Sequence, residues 1–553
     1  MNRVNGLDHS LRSELIPPHV KSETLAPNAA LRAVVAVAVF LQTIACFGDN
    51  KAPARRTLVD SRDQYDPRSL DPALSTDVPT GRAVGYVFDG LTRFTPDAKV
   101  EPSLAERWDV TPDGLTYTFH LRRGVSFQNG TPFVASDVIT SWQRALAPTT
   151  KSGAGEFLSP IKGARDYAAG KANTITGLSA PNDSTLVVNL AEPIAIFTKL
   201  LAMPVASVVP PDERIWSRLG EHPIGTGPWK LVEWKHDDYL LFARNSNYFG
   251  GPPKAESLRA RIIAEPSTSV AEFESGTIDV LQIPADQTTE WQEDQSRESL
   301  LSSTPALELV YIGINTTRGP LRDARVRQAI NYAINVDLLI ARLIAGRGTR
   351  AAGVIPPALA GYDKTRKSYR YDPARAKQLL AEAGYPNGID VELWSSSNPI
   401  YVRMSETIQA YLNQVGIRCK IVQRESAAAR AAARKGQTDM ILKDWYADYP
   451  DAENFLYPLL HSANKGSGGN VSFYSNPTFD SVVTAARHEL DETKRNALYQ
   501  RADSIAFADA PMVFLYFYNE LYAVQPWIKG FVPPVIFNGQ RWLDVTIQHE
   551  AKP

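Results

Sequence analysis

The residues best able to do chemistry stand together between positions 444 and 455. Asp444-Trp445-Tyr446-Ala447-Asp448-Tyr449-Pro450-Asp451-Ala452-Glu453-Asn454-Phe455 interleaves four carboxylates with four aromatic rings. On one loop, such a mixture suits a ligand that is cationic at one end and apolar along its length, because an ammonium taken out of water needs a charged, hydrogen-bonding partner. A surface loop with incidental aromatics has the same composition. Catalytic patterns are missing elsewhere. None of the eight histidines has metal-ligand spacing, and there is no nucleophile elbow or phosphate loop. Ser159-Pro160-Ile161-Lys162 fits S-x-x-K, but its S-D-N and K-T-G companions are lacking. Cys419 has no histidine partner and reads as a small core residue. Gly225-Thr226-Gly227-Pro228 reads as a turn.

The elements that must position these residues show in the hydrophobic periodicity. Leu115–Leu121 alternates at period two, as a half-buried strand does, and Asn129-Gly130 suits a tight turn. Val138, Trp142, Ala145 and Leu146 then share one helical face. Further strands are expected at Thr185–Leu190, Tyr239–Ala243 and Val391–Trp394. Asp372-Pro373 starts a helix that carries Ala376, Leu379, Leu380 and Ala383 and stops at Gly384. Two more apolar helical faces run through Val326–Ile334 and Leu498–Ala506. Leu307–Ile314 and Met512–Tyr518 read as fully buried strands, and the ~200 residues between them could close as one domain. A lobe joined to its neighbour by two crossing strands is a natural hinge.

Composition sets the outer bounds. The 553 residues are 44% hydrophobic and 22% charged, an ordinary globular balance that suggests about three or four folding units. A net charge of −1 gives no footprint for nucleic acid or an anionic membrane. The short basic run 430–435 reads as the solvated face of a helix. Two cysteines, Cys46 and Cys419, exclude a disulfide framework. Near the start, Arg32 precedes an apolar run from Ala33 to Ala45. This is shorter than the about 17–25 residues of a membrane span and fits the apolar region of an export signal over residues 1–45.

Several longer blocks resemble one family. Leu70-Asp71-Pro72, Phe88-Asp89-Gly90-Leu91, the segment from Ala105 to Val138, Gly225-Thr226-Gly227-Pro228-Trp229, Arg325–Ala329 and Leu379–Tyr385 occur in order across about residues 57–548. Together they resemble the extracellular solute-binding proteins, family 5, which serve ABC importers for oligopeptides. Ile44-Ala45-Cys46 resembles the end of a bacterial lipobox, with Thr43 departing from the usual Leu. Cys46 is then a lipid anchor; the alternative is cleavage a few residues later and a free periplasmic protein.

The resemblance implies an α/β, bilobal, periplasmic-binding-protein-like fold of type II, in the large cluster with an extra subdomain, its two lobes joined by a hinge. Lobe I is expected at 57–88, 208–306 and 512–548, with the subdomain at 89–207 and lobe II at 307–511. No catalytic residue, cofactor or metal is implied, and the expected state is a monomer in the periplasm or cell envelope, touching the membrane only through Cys46. The implied ligand is an oligopeptide held extended between the lobes and handed to the permease subunits. It pairs by strand addition with Thr76-Asp77-Val78 and Asp444-Trp445-Tyr446, and Asp448 receives its α-ammonium. Alternatives are the same fold holding a nickel chelate, haem, glutathione or an oligosaccharide, or a sensory or chaperone-like peptide binder without a transporter.

Overall fold

A computed structural model describes residues 57–548. The export segment and Cys46 lie outside the described residues. A single mixed sheet forms the backbone of the fold. Its strands run in the order 417–424, 389–396, 440–446, 301–314, 512–524, 280–282, 57–63, 257–262, 239–244 and 229–235, with 348–350 attached to the side of 512–524. Helices that carry the expected faces cover the first part. Pro373–Glu382 is capped by Asp372, and Ala324–Ala333 by Asp323, and both bury their apolar stripes. A separate four-stranded sheet, 105–110, 116–121, 185–189 and 178–182, packs against the helix Ala135–Leu146 with Trp142 at its centre.

The two buried strands read from the sequence are longer than their apolar cores suggested, at Leu301–Ile314 and Met512–Val524. They pair antiparallel from Leu301↔Ala523 to Gly313↔Met512, and between Pro305↔Asn519 and Leu309↔Phe517 the register slips. The first strand takes four residues there against two on its partner, and extra residues in a ladder bend it and break its hydrogen bonding. That irregularity falls between two adjacent strands near the middle of the sheet. Arg347 holds the far edge of the same crossing. Its guanidinium donates to the carbonyls of Asn519 at 3.2 Å and Ile283 at 2.9 Å, and to Thr288 Oγ1 at 3.1 Å. The amide of Asn519 donates back to the Arg347 carbonyl at 3.1 Å.

The motif blocks of the first half are structural joints. Asp89, almost fully buried, receives hydrogen bonds from Arg541 at 2.6 Å, Tyr248 at 3.1 Å, Thr226 at 2.8 Å and Ser103 at 3.3 Å. The glycines around Thr226 permit this approach: a Cβ on Gly225 or Gly227 would lie 2.2 or 2.5 Å from the carbonyl oxygen of Val87. No helix among the described residues is long and apolar enough to cross a membrane.

Candidate ligand-binding cleft

The acid and aromatic stretch is not a loop. Residues 440–446 form a strand, a short turn follows, and Glu453–Leu460 is a helix. The alternation of strand side chains escaped the sequence reading because charged and aromatic residues occupy both faces of its exposed end. The strand pairs along its length with Leu301–Ile314, from Ile314↔Met440 to Glu308↔Tyr446. On its other edge, strand Ile389–Ser396 meets it only at Met440 and Ile441.

The open edge has a defined chemistry. Ala447 N–H donates to the Leu307 carbonyl at 2.8 Å, so these two residues form a hydrogen-bonded pair. Such pairs alternate with non-bonded ones along an antiparallel ladder. Leu309–Trp445 is then bonded, while Glu308–Tyr446 and Val310–Asp444 are not. Asp444 and Tyr446 therefore turn both N–H and C=O toward the side where no strand pairs with them among the described residues. That is a template for an added extended chain.

Asp448 stands just past the end of this edge. Its amide donates to Asn454 Oδ1 at 3.0 Å, and Asn454 Nδ2 donates weakly to its carboxylate at 3.4 Å. The carboxylate has no ion pair among the described residues. Burial pushes its pKa up, the Asn454 contact opposes this, and the nearby charge of Glu156 adds to it. Asp448 and Glu156 line one cavity of ≈ 250 Å³, together with Thr76, Asp77, Val78 and Tyr446. Phe157, Met203, Val205 and Phe537 give it apolar walls. This cavity can accept a cation beside an apolar group.

A second cavity, of ≈ 380 Å³, shares Val78, Tyr446 and Phe537 with the first. It holds Arg62, Arg82, Arg347 and Glu520. Arg62 is paired to Asp60 at 2.8 Å, and Arg82 to Asp63. Glu520 is pushed up by burial against the pull of Arg347 and accepts from Gln282. Glu308, on the crossing strand, is raised to about 8 by burial, with Asp444 and Glu520 adding to the shift.

Other expected positions sort differently. Asp77 caps the helix Val78–Val87, accepting from Thr80 N–H at 3.0 Å, and Pro79 occupies the first turn. Val78 is therefore helical, and only Thr76 and Asp77 precede the helix. Thr76 is exposed on the cavity wall, where a Cβ on Gly153 would meet its methyl at 2.8 Å. Asp444 accepts from Tyr401 Oη at 2.9 Å. Trp445 does not line the first cavity; with Asp444 it lines a third, of ≈ 240 Å³, along the open edge. Cys419 is buried in the strand Ile417–Arg424, and burial raises its thiol to about 12. Glu156, Phe157 and Phe537 were missed because a lone acid in a short turn and a distant ring carry no spacing signal. Lys199 was missed too: it crosses to Asp451 at 2.6 Å and to the Pro450 carbonyl at 2.8 Å.

The family pattern described as bacterial extracellular solute-binding proteins, family 5 Middle, matches residues 99–467. The chain belongs to that family. It is similar to the Haemophilus influenzae protein named heme-binding protein A, 32% identical over 467 residues that cover 81% of this chain and 84% of that one. The glutathione-binding protein GsiB of Salmonella choleraesuis is 32% identical over 456 residues, covering 80% and 86%. Among solved structures, the DppA periplasmic binding protein of Helicobacter pylori, in complex with the peptide STSA, superposes with a TM-score of 0.73 at 30% identity over 89% of this chain and 98% of that one. The fold is the mixed α/β fold of the large periplasmic binding proteins. This solute-binding protein serves an ABC importer and is not an enzyme.

Proposed function

We propose that the protein captures short peptides with a free amino end. The ligand lies extended along the open edge at Asp444 and Tyr446, with its α-ammonium on Asp448. The observation that carries this reading is the pairing of two features: main-chain groups facing an empty edge, and a carboxylate without a cation where that edge ends. Backbone pairing fixes a peptide without reading its side chains, and the charge fixes its direction. Glu156 adds a second carboxylate beside the amino end, and Thr76 and Asp77 line the same cavity.

In this reading the lobes are 57–88 with 208–306 and 512–548, and 307–511, with the subdomain at 89–207. They move about the irregular pairing at 305–309 and deliver the ligand to permease subunits as a monomer exported by residues 1–45, with Cys46 as a lipid anchor. The similarity to a glutathione-binding protein supports a second ligand of the same class, since glutathione is itself a tripeptide with a free ammonium.

The test is thermal stabilisation of the purified protein by three- to five-residue peptides, the same peptides N-acetylated, glutathione, haem and a nickel–histidine chelate. A ligand at 100 times its Kd adds about 2.7 kcal/mol of stability. Stabilisation by free but not acetylated peptides supports the proposal. Stabilisation by haem or the chelate alone refutes the peptide reading.

A further inference from the structure

The third cavity, of ≈ 240 Å³, runs along the open strand edge and meets the Asp448 cavity at Tyr446. Lys443, Arg430 and Arg434 line it. The two arginines stand four residues apart on the helix Ser426–Arg434, so their like charges share one face. Neither makes an ion pair among the described residues; Arg430 only donates to Ser426 Oγ at 2.8 Å. The Lys443 ammonium likewise has no hydrogen bond or ion pair among the described residues, and it lies 5.7 Å from the Tyr311 ring and 6.0 Å from the Trp445 ring. Burial lowers its pKa to about 8, against the pull of Asp444.

Charge arithmetic makes this end unlike the other. Three cations face one acid, Asp444, which Tyr401 already engages. The cavity is left with an excess of two positive charges; Lys443 is half-buried, while Arg430 and Arg434 are exposed to solvent. A single ligand carboxylate would leave the excess half answered, and a desolvated ammonium without a counter-charge is costly. Lys443 precedes Asp448 by five residues, about 16 Å at strand rise. An extended ligand of about three to five residues spans that distance, with its amino end on Asp448.

Building on the peptide reading, we infer that Lys443, Arg430 and Arg434 select peptides whose far end carries two carboxylates, those ending in Glu or Asp. The α-carboxylate and the acidic side chain together match the charge of the pocket, and neither Asp448 nor the backbone edge would supply this preference.

The experiment is calorimetric titration of the purified protein with alanine peptides of three, four and five residues ending in Glu or in Gln. Gln keeps the shape and removes one charge. The Glu peptides are expected to bind about ten-fold or more tightly than the Gln peptides at low salt, with the ratio falling as salt rises. In the double variant Arg430→Gln/Arg434→Gln, and separately in Lys443→Met, the ratio is expected to collapse toward one. Equal binding of Glu and Gln peptides by the unaltered protein would overturn this inference and leave the peptide reading standing. Binding of neither series would overturn both. A ratio that survives in both variants would remove the preference from this pocket.

Discussion

The amide of Ala447 donates to the carbonyl of Leu307 at 2.8 Å, and that bond sets the phase of the strand that precedes it. With the phase set, Asp444 and Tyr446 face outward and Lys443 and Trp445 bond inward to Tyr311 and Leu309. An antiparallel ligand must therefore bond at every second residue only. N-methylation of the ligand amides that meet Asp444 or Tyr446 removes a donor and adds bulk, and each such change is expected to weaken binding by about ten-fold or more. The intervening amides point away and should tolerate the methyl. Calorimetry on a methyl-scanned tetrapeptide reads the pattern; uniform sensitivity along the peptide would contradict strand addition at this edge.

Asp448→Ala removes the carboxylate that faces the cavity without a cation. Losing one partner of a buried ion pair costs about 3–5 kcal/mol. Peptides with a free amino end should lose about a hundred-fold or more in affinity, whereas the N-acetylated forms should bind both proteins alike and weakly. Glu156 is exposed, so Glu156→Gln should cost much less, on the order of the 0–1 kcal/mol of a screened pair. Unchanged affinity in Asp448→Ala would place the ammonium elsewhere.

Much of this was legible in the residues, and what was not has a physical cause. Caps and stop signals located Pro373–Glu382 almost to the residue, because Asp372, Pro373 and Gly384 act locally. The alternation at Thr116–Leu121 likewise reflects one buried and one solvated face. The strand 440–446 was invisible for the opposite reason. Its end is flanked by cavities on several sides, so no face is uniformly apolar, and its partner is more than a hundred residues away. The crossing strands were found by their apolar cores but cut short at Leu307 and Tyr518, since Ser302, Ser303 and Glu520 sit on a paired but polar stretch. Asp448 was singled out by the family resemblance, and its companion Glu156, some 300 residues earlier, is brought in by the fold alone. The basic run 430–435 read correctly as a solvated helical face, and sequence gave no hint that Lys443 would join it.

The Asp89 joint predicts a stability effect separable from binding. Arg541 donates to Asp89 and to the carbonyls of Gly85 and Phe88, at 2.6, 2.7 and 3.0 Å, in a site nearly free of solvent. Arg541→Ala strands a buried carboxylate and two carbonyls and should cost about 3–5 kcal/mol. Denaturant unfolding followed by tryptophan fluorescence measures the loss. Peptide affinity at a temperature where the variant remains folded should change little, because the joint lies outside the cleft. A variant as stable as the parent would mean that the joint carries none of the fold.

The pH dependence of stability should bear the mark of Glu308. Its carboxyl is raised from the ordinary 4.5 to about 8, first by burial and then by Asp444 and Glu520. A raised carboxyl binds its proton more tightly in the folded chain than in the unfolded one. Between the two values the folded state therefore holds more protons, and stability falls as pH rises through that window. Above about 8 the folded protein must keep a desolvated carboxylate beside two acids. Glu308→Gln removes the titration and keeps the shape. Its melting temperature should match the parent at about pH 5, where Glu308 is protonated in the fold, and exceed it by a few degrees at about pH 9. Melting curves across that range decide it: parallel pH profiles for parent and variant would show that Glu308 titrates near its ordinary value and does not strain the crossing.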